Sequence, residues 1–375
     1  MIIKNLDALD LSYIPKELPG RNNEIKTLYI KLRSLLYDKA ITPILLLGPP
    51  GSGKTVTCKY TLQKFLDNVL TLNKMNIISS FISCKNTPMK TAIELCYDLG
   101  ISNVPRRGLS FDEILDGFIF KFLDENRYQL ILILDEFDRL FSNRRIRQDS
   151  EMFIYHLLEK KISLIGISNF LFIDKKIKDD RLKSRLFGSK LVFSRYHDFN
   201  IIKDIIKQRL DLSVEYESDV VSFLTAHTLK NLGDIRYLIL LIKESALLAD
   251  YDSKKLSIKH VKQAIPLVKQ SLIQHIISKF PMDVKILLMC ILESVPCTRE
   301  MAYQKYVHYC NKMDTYCAGK DRVFDFIRDL ISYGFIENVK KGLGKGYGWV
   351  NKLVYSYEGC ERDIFIKVIK KSIYG

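Results

Sequence analysis

The sequence predicts an α/β fold: a parallel sheet wrapped by helices, continued by an all-helical segment and finished by a small domain of helices and a β-ribbon. Three observations carry this. Between about 40 and 195, short apolar runs rich in β-branched residues alternate with helical patterns, the arrangement of βαβ units. From about 197 to 270 the apolar residues recur at helical spacing only. From about 275 onward, three helical segments lead into a Gly-rich stretch.

Each element follows from its own residues. Core strands are expected at 43–47, 77–83, 130–134, 162–167 and 190–193. The unbroken apolar run Leu130-Ile131-Leu132-Ile133-Leu134 suits a central strand covered on both faces. In the second segment, Ile201, Ile205 and Leu210, then Val220, Val221 and Leu224, then Ile235, Leu238, Ile239, Ile242 and Ala246 mark three helices. In the third, Phe280, Val284, Leu287, Leu288 and Ile291 lie on one helical face, and a second helix covers about 299–312. A third turns Val323, Phe326, Ile327, Leu330 and Ile331 inward and leaves Lys320, Arg322 and Arg328 outside. Gly334-Phe335-Ile336 then opens a hairpin whose tip runs from Lys340 to Trp349. The expected domains are 1–196, 197–272 and 273–375.

Composition narrows the function classes. The chain has 375 residues, of which 47% are hydrophobic and 27% charged, which excludes a disordered chain, a collagen-like repeat and a small disulfide scaffold. The formal net charge of +15 points to a polyanion, nucleic acid or an acidic membrane surface, or else to a basic surface with no partner. Residues 275–375 hold +5 of that charge, so the excess is spread along the chain and not gathered in a tail. The N-terminus has no apolar stretch of the secretory kind, and no run approaches the ~20 residues that span a bilayer. The eight cysteines (58, 84, 96, 290, 297, 310, 317, 360) form no C-x-x-C pair, and Cys310, Cys317 and His308 find no second pair for zinc. They read as reduced residues of an intracellular protein, cytoplasmic, or nuclear if the source is a eukaryote.

Gly48-Pro49-Pro50-Gly51-Ser52-Gly53-Lys54-Thr55 fills G-x-x-x-x-G-K-S/T in full, after a buried strand and before a helix opening at Val56. Glycines let backbone N–H groups converge on phosphate oxygens, and the helix N-terminus adds partial positive charge. Lys54 can reach the β- and γ-phosphates of ATP, and the Thr55 hydroxyl can ligate Mg²⁺. Asp135 and Glu136 close the apolar strand at its C-terminal end, beside this loop. Asp135 would hold Mg²⁺, and Glu136 would orient or deprotonate the attacking water. A further strand ends in Ser168-Asn169, whose amide could bond the γ-phosphate or that water.

This order of motifs resembles the AAA+ ATPases, and more narrowly the archaeal replication-initiator branch related to the origin recognition complex and cell division control protein 6. The closer resemblance rests on Leu18-Pro19-Gly20-Arg21-Asn22-Asn23-Glu24-Ile25, Leu134-Asp135-Glu136-Phe137-Asp138-Arg139-Leu140, Ile165-Gly166-Ile167-Ser168-Asn169, Asp180-Arg181-Leu182-Lys183-Ser184-Arg185-Leu186 and Gly233-Asp234-Ile235-Arg236. It implies a base domain, an all-α lid and a C-terminal winged-helix domain. It implies that the segment around Arg21 lies over the adenine, placing Arg21 among the cofactor-binding residues. It also implies that Arg236 contacts the γ-phosphate from the same chain, and that Arg185, with Arg181 as the alternative, reaches a nucleotide on a neighbouring subunit. A guanidinium suits both tasks because it stays charged and presents a planar fork of donors.

The resemblance further implies duplex origin DNA as partner, with paralogous initiators and the replicative helicase. Ile101 to Glu113 looks like the branch's extra helical insert, where Arg106 and Arg107 would contact DNA phosphates. Three helices and a basic hairpin look like a winged helix: the third helix, with Lys320 and Arg322, would enter the major groove, while Lys340, Lys341 and Lys345 on the hairpin would neutralise phosphates. The reading is an origin-binding initiator that uses ATP/ADP and Mg²⁺ in slow, switch-like hydrolysis. Left open beside it are a remodeller or clamp-loader-like motor acting on a protein substrate, and a DNA-binding module locked on its nucleotide.

Overall fold

In the computed structural model the described residues are 2–37, 39–72, 76–105, 108–142, 144–332, 334–342, 349–357 and 362–374. They form two compact units, Met1–Ile258 and Lys259–Gly375.

The first unit is built on a five-stranded parallel sheet in the order β2-β3-β4-β1-β5. The strands are β1 (Ile44–Leu47), β2 (Ile77–Ser83), β3 (Gln129–Asp135), β4 (Ser163–Ser168) and β5 (Lys190–Val192), each within a residue or two of its expected span. Parallel strands need helical crossovers, which cover both faces of the sheet. Alternate side chains therefore go to opposite sides. Ile44, Leu46, Ile131, Ile133, Ile165 and Ile167 pack with Leu28, Phe65 and Val69 of α1 (Asn22–Leu32) and α2 (Lys54–Thr71). Leu45, Leu47, Leu132, Leu134 and Leu164 pack on the other side, against α3 (Pro88–Asp98), α4 (residues 111–126), α5 (Arg147–Glu159) and α6 (Asp180–Leu186).

Of the expected insert Ile101–Glu113, only Phe111–Glu113 are helical among the described residues. Pro105 and Gly108 disfavour a helix earlier, and a capping box starts one where Ser110 Oγ accepts from Glu113 N and Glu113 Oε2 accepts from Ser110 N.

Three helices complete this unit as the all-α lid: α7 (Phe199–Ser213), α8 (Ser218–Lys230) and α9 (Ile235–Tyr251). Asp198 and Asp234 cap α7 and α9 by accepting from two backbone N–H groups each. The N-terminal segment is strapped to the lid. Ile2 N donates to Asp250 Oδ1 at 2.6 Å, and the Arg209 guanidinium donates to Ala8 O, Asp10 O and Tyr13 O at 2.6, 3.3 and 3.2 Å.

In the second unit, α10 (Ile258–Ser278) runs on through residue 272, and α11 (Met282–Ser294), α12 (Arg299–Lys312) and α13 (Lys320–Ser332) precede an antiparallel hairpin of β6 (Ile336–Gly342) and β7 (Trp349–Tyr355). Phe280 falls outside α11, because a residue before proline is pushed off the helical region and Pro281 is the N-cap. Sequence reading missed a last helix, α14 (Arg362–Tyr374), which buries Phe365, Val368 and Ile369 in the unit's core. No helix among the described residues is long and apolar enough to cross a membrane.

Candidate nucleotide site

Strand register assembles the site. Leu47 at the end of β1 pairs with Ser168, which brings Gly48 beside Asn169. Ser83 at the end of β2 pairs with Asp135. Loop, acids and amide thus share the C-terminal edge of the sheet, where α/β sheets bind ligands.

The loop's shape depends on its glycines and on the lid. Gly51 has φ +75, and a Cβ there would collide with the Asp234 carboxylate. Gly233 has φ +65, and its Cβ would drive into the Tyr196 carbonyl. The lid helix α9 therefore starts against the loop, in a contact only glycines allow.

Lys54 is buried, and its Nζ donates to Gly48 O at 2.7 Å, Pro49 O at 2.8 Å and Asn169 Oδ1 at 3.0 Å. Burial lowers its pKa from 10.5 to about 8; the Asp135 charge opposes the drop, and the Arg236 charge reinforces it. Thr55 Oγ1 donates to Asp135 Oδ2 at 3.1 Å, while Asp135 Oδ1 accepts from Glu136 N at 2.8 Å. Glu136 has a left-handed backbone with φ 53, and its Oε2 accepts from Ser83 Oγ at 2.8 Å and from Arg139 at 2.9 Å. Asp138 Oδ1 accepts from Ser168 Oγ at 2.8 Å and from Asn169 N at 3.3 Å, so it ties the exit of β3 to the tip of β4.

Arg21 is 4% exposed and faces the protein. It donates to Tyr196 Oη at 2.9 Å, Glu24 at 2.8 Å, and the Ser52 and Ser194 carbonyls at 2.7 Å each. Its guanidinium also lies 4.2 Å from the Tyr196 ring centre. It pins the phosphate loop to the end of β5. Arg236, in the first turn of α9, is exposed and close enough to act on the Lys54 charge.

The structure thus brings together Lys54, Thr55, Asp135, Glu136 and Asn169, with Arg236 near. Arg185 and Arg181 are exposed on α6, with their guanidiniums 4.6 and 5.7 Å from the Tyr155 ring centre and Arg181 also paired with Asp179. Ser83, Tyr196 and the roles of Asp138 and Arg139 escaped the sequence reading. Asp138 and Arg139 stand inside the Leu134–Leu140 motif, whereas the end of an edge strand gives Ser83 no signal.

In the second unit, Lys320 pairs with Glu300 at 2.8 Å, and Arg322 and Lys340 are exposed. Lys341 stands on β6 with its side chain outside the described residues. Lys345, Arg106 and Arg107 also lie outside them.

This sheet, its phosphate loop and its acidic strand end define an AAA ATPase, and residues 44–187 match the ATPase family associated with various cellular activities (AAA). The chain is 30% identical to the ORC1-type DNA replication protein of Methanosphaera stadtmanae, covering 96% of this chain and 94% of that one. It is 29% identical to an ORC1-type protein of Methanothermobacter thermautotrophicus, over 99% and 98% of the two chains. Among solved structures, the Aeropyrum pernix ORC1 protein in complex with DNA superimposes with a TM-score of 0.85 at 22% identity, covering 99% of this chain and 97% of that one. The chain belongs to the ORC1-type DNA replication proteins.

Proposed function

We propose that this ATPase is a replication initiator that binds duplex origin DNA, with ATP binding and slow hydrolysis as its switch. The observation that carries the reading is the joining, in one chain, of a complete phosphate-binding constellation to a separate unit of helices and a lysine-bearing hairpin. Residues 1–196 would form the ATPase base, 197–272 the lid, and 273–375 a winged-helix DNA-binding domain. The fold it shares with the Aeropyrum protein, itself seen bound to DNA, supports the last assignment.

In the base, backbone N–H groups of Gly51, Ser52, Gly53 and Val56 would surround the phosphates, with Gly48, Pro49 and Pro50, the prolines lacking an N–H, shaping the turn and Lys54 moving from its carbonyls onto the β/γ oxygens. Thr55 and Asp135 offer the hard oxygen donors that suit Mg²⁺, and their 3.1 Å hydrogen bond marks where both would reach one cation. Mg²⁺ held there would neutralise charge on the phosphate oxygens. Glu136 would take the proton of the attacking water, while Asn169 and Arg236 would contact the γ-phosphate. Arg185, or Arg181, would serve a neighbouring initiator's site. The replicative helicase would be recruited downstream.

On the DNA side, α13 contributes little net charge, since Asp321, Asp325 and Asp329 alternate with Lys320, Arg322 and Arg328, and Arg328 pairs with Asp325. The hairpin lysines Lys340, Lys341 and Lys345 would then supply most of the phosphate contact, with Arg106 and Arg107 adding to it. Measuring duplex affinity across a salt series tests this. We expect a linear fall of log K with log salt, and Lys340→Gln shallower by about 1. A flat dependence overturns DNA binding and favours a motor acting on protein.

A further inference from the structure

We infer that Cys310 and Cys317 form a reversible oxidation site, a dithiol that a hydroperoxide closes into a disulfide between the end of α12 and the chain entering α13. The site lies within the second unit and stands apart from the ATPase and DNA readings.

The turn after α12 sets the pair. The two cysteines are seven positions apart in the sequence. Asp314 takes a left-handed backbone with φ 49, which turns the chain back on the helix. Thr315 N–H then donates to Cys310 O at 3.1 Å, and Ala318 N–H donates to Tyr306 Oη at 3.1 Å. Tyr306 stands one turn before Cys310 on the same helical face, so Cys317 lies between two ties that fasten its neighbours to the end of α12. The side chains that act on the Cys310 thiol by hydrogen bonding are the Tyr306 hydroxyl and the Cys317 thiol. Both cysteines are free thiols.

Their burial divides the chemistry. Cys317 is half-buried and meets solvent, whereas Cys310 is 0% exposed. The Cys317 thiolate attacks a peroxide oxygen, the O–O bond breaks, and water leaves as Cys317 becomes a sulfenic acid. The Cys310 sulfur then attacks the Cys317 sulfur, and its proton joins the departing hydroxide as a second water. Two thiols lose two electrons and two protons, and hydrogen peroxide is reduced to two waters. Burial raises the Cys310 pKa, and the Tyr306 hydroxyl opposes the rise. Proximity of the two sulfurs offsets a small thiolate fraction, because the closing step is intramolecular. Cys290, also close to Cys310, is buried and pushed up to about 12, which disfavours it as the partner.

The test is a peptide map of the full chain after hydrogen peroxide, with the remaining thiols alkylated under denaturing conditions and no reductant. We expect a link from Cys310 to Cys317, reopened by dithiothreitol. It should form about tenfold or more faster than any other described cysteine is modified, since those others are buried. Cys310→Ala should stop the reaction at the Cys317 sulfenic acid, which dimedone captures. The wild-type map decides even where Cys310→Ala, in the core, fails to fold. A link from Cys310 to Cys290, Cys317 carried on to sulfinic acid beside a free Cys310, or a map without any link at these residues would each overturn the inference.

Discussion

With Lys54 on the nucleotide phosphates as proposed, its depressed pKa would make nucleotide affinity a function of pH between 7 and 9. In the free protein burial brings the ammonium down to about 8 from 10.5. Phosphate oxygens at the same place favour the charged form and restore it. Raising the pH from 7 to 9 therefore leaves the complex protonated but deprotonates Lys54 in the free protein. Full restoration predicts an affinity loss of about tenfold, or 1.4 kcal/mol, across those two pH units. Hydration of the ammonium from the cleft trims this, and we expect about three- to tenfold. The terminal phosphate is already ionised above pH 7, so it adds no slope there.

Fluorescent ADP titrated at pH 7, 8 and 9, with calorimetry in two buffers of different ionisation enthalpy, reads both the affinity and the accompanying proton uptake. The sign is diagnostic. Between about 8 and 10.5 the unfolded chain binds more protons at this site than the native one, so Lys54 makes the free fold more stable as pH rises while binding weakens. Alkaline unfolding would move both the same way. An affinity flat from pH 7 to 9, or an equal slope in Lys54→Arg, whose guanidinium does not titrate there, refutes the reasoning.

Two further outcomes follow from contacts away from the phosphates. Asp138→Ala frees Ser168 Oγ and the Asn169 amide, so Asn169 loses its anchor; kcat should fall about fivefold or more with ATP affinity little changed, and an unchanged kcat would dismiss the tie. Arg209→Ala leaves the carbonyls of Ala8 and Tyr13 without their donor and Asp10 O with only the Tyr13 N–H, and should cost about 2–4 kcal/mol in chemical denaturation, whereas a loss below about 1 kcal/mol would mean the strap is not held by Arg209.

What was legible in the sequence were features encoded locally. An apolar run such as Leu130–Leu134 can be little else than a buried strand, and the loop from Gly48 to Thr55 is specified by residue types that few other structures require. Helix ends set by proline or capping were legible in principle and misplaced in two instances, at Phe280 and before Phe111. α14 carried its signal too, with Phe365, Val368 and Ile369 at helical spacing, but lay behind a Gly-rich stretch that drew the reading to the ribbon. The contacts that orient the site were a different matter. That Ser83 meets Glu136, that Asp138 reaches Ser168 and Asn169, or that Arg21 faces carbonyls depends on the pairing of β2 with β3 and of β1 with β4 and β5, over separations of 30 to 173 residues, and no local pattern encodes it.

The Arg21 clamp has a consequence for what the loop can report. With its guanidinium on the Ser52 and Ser194 carbonyls, the loop is shaped when the chain folds and not when a nucleotide arrives. A preformed backbone cradle would greet any diphosphate in the same way, since little but the Lys54 side chain has to move when it fills. Its backbone would therefore register occupancy and leave the third phosphate to side chains. Telling ATP from ADP would fall to Lys54, to the Asn169 side chain that Lys54 holds in the free protein, and to Arg236 on the lid.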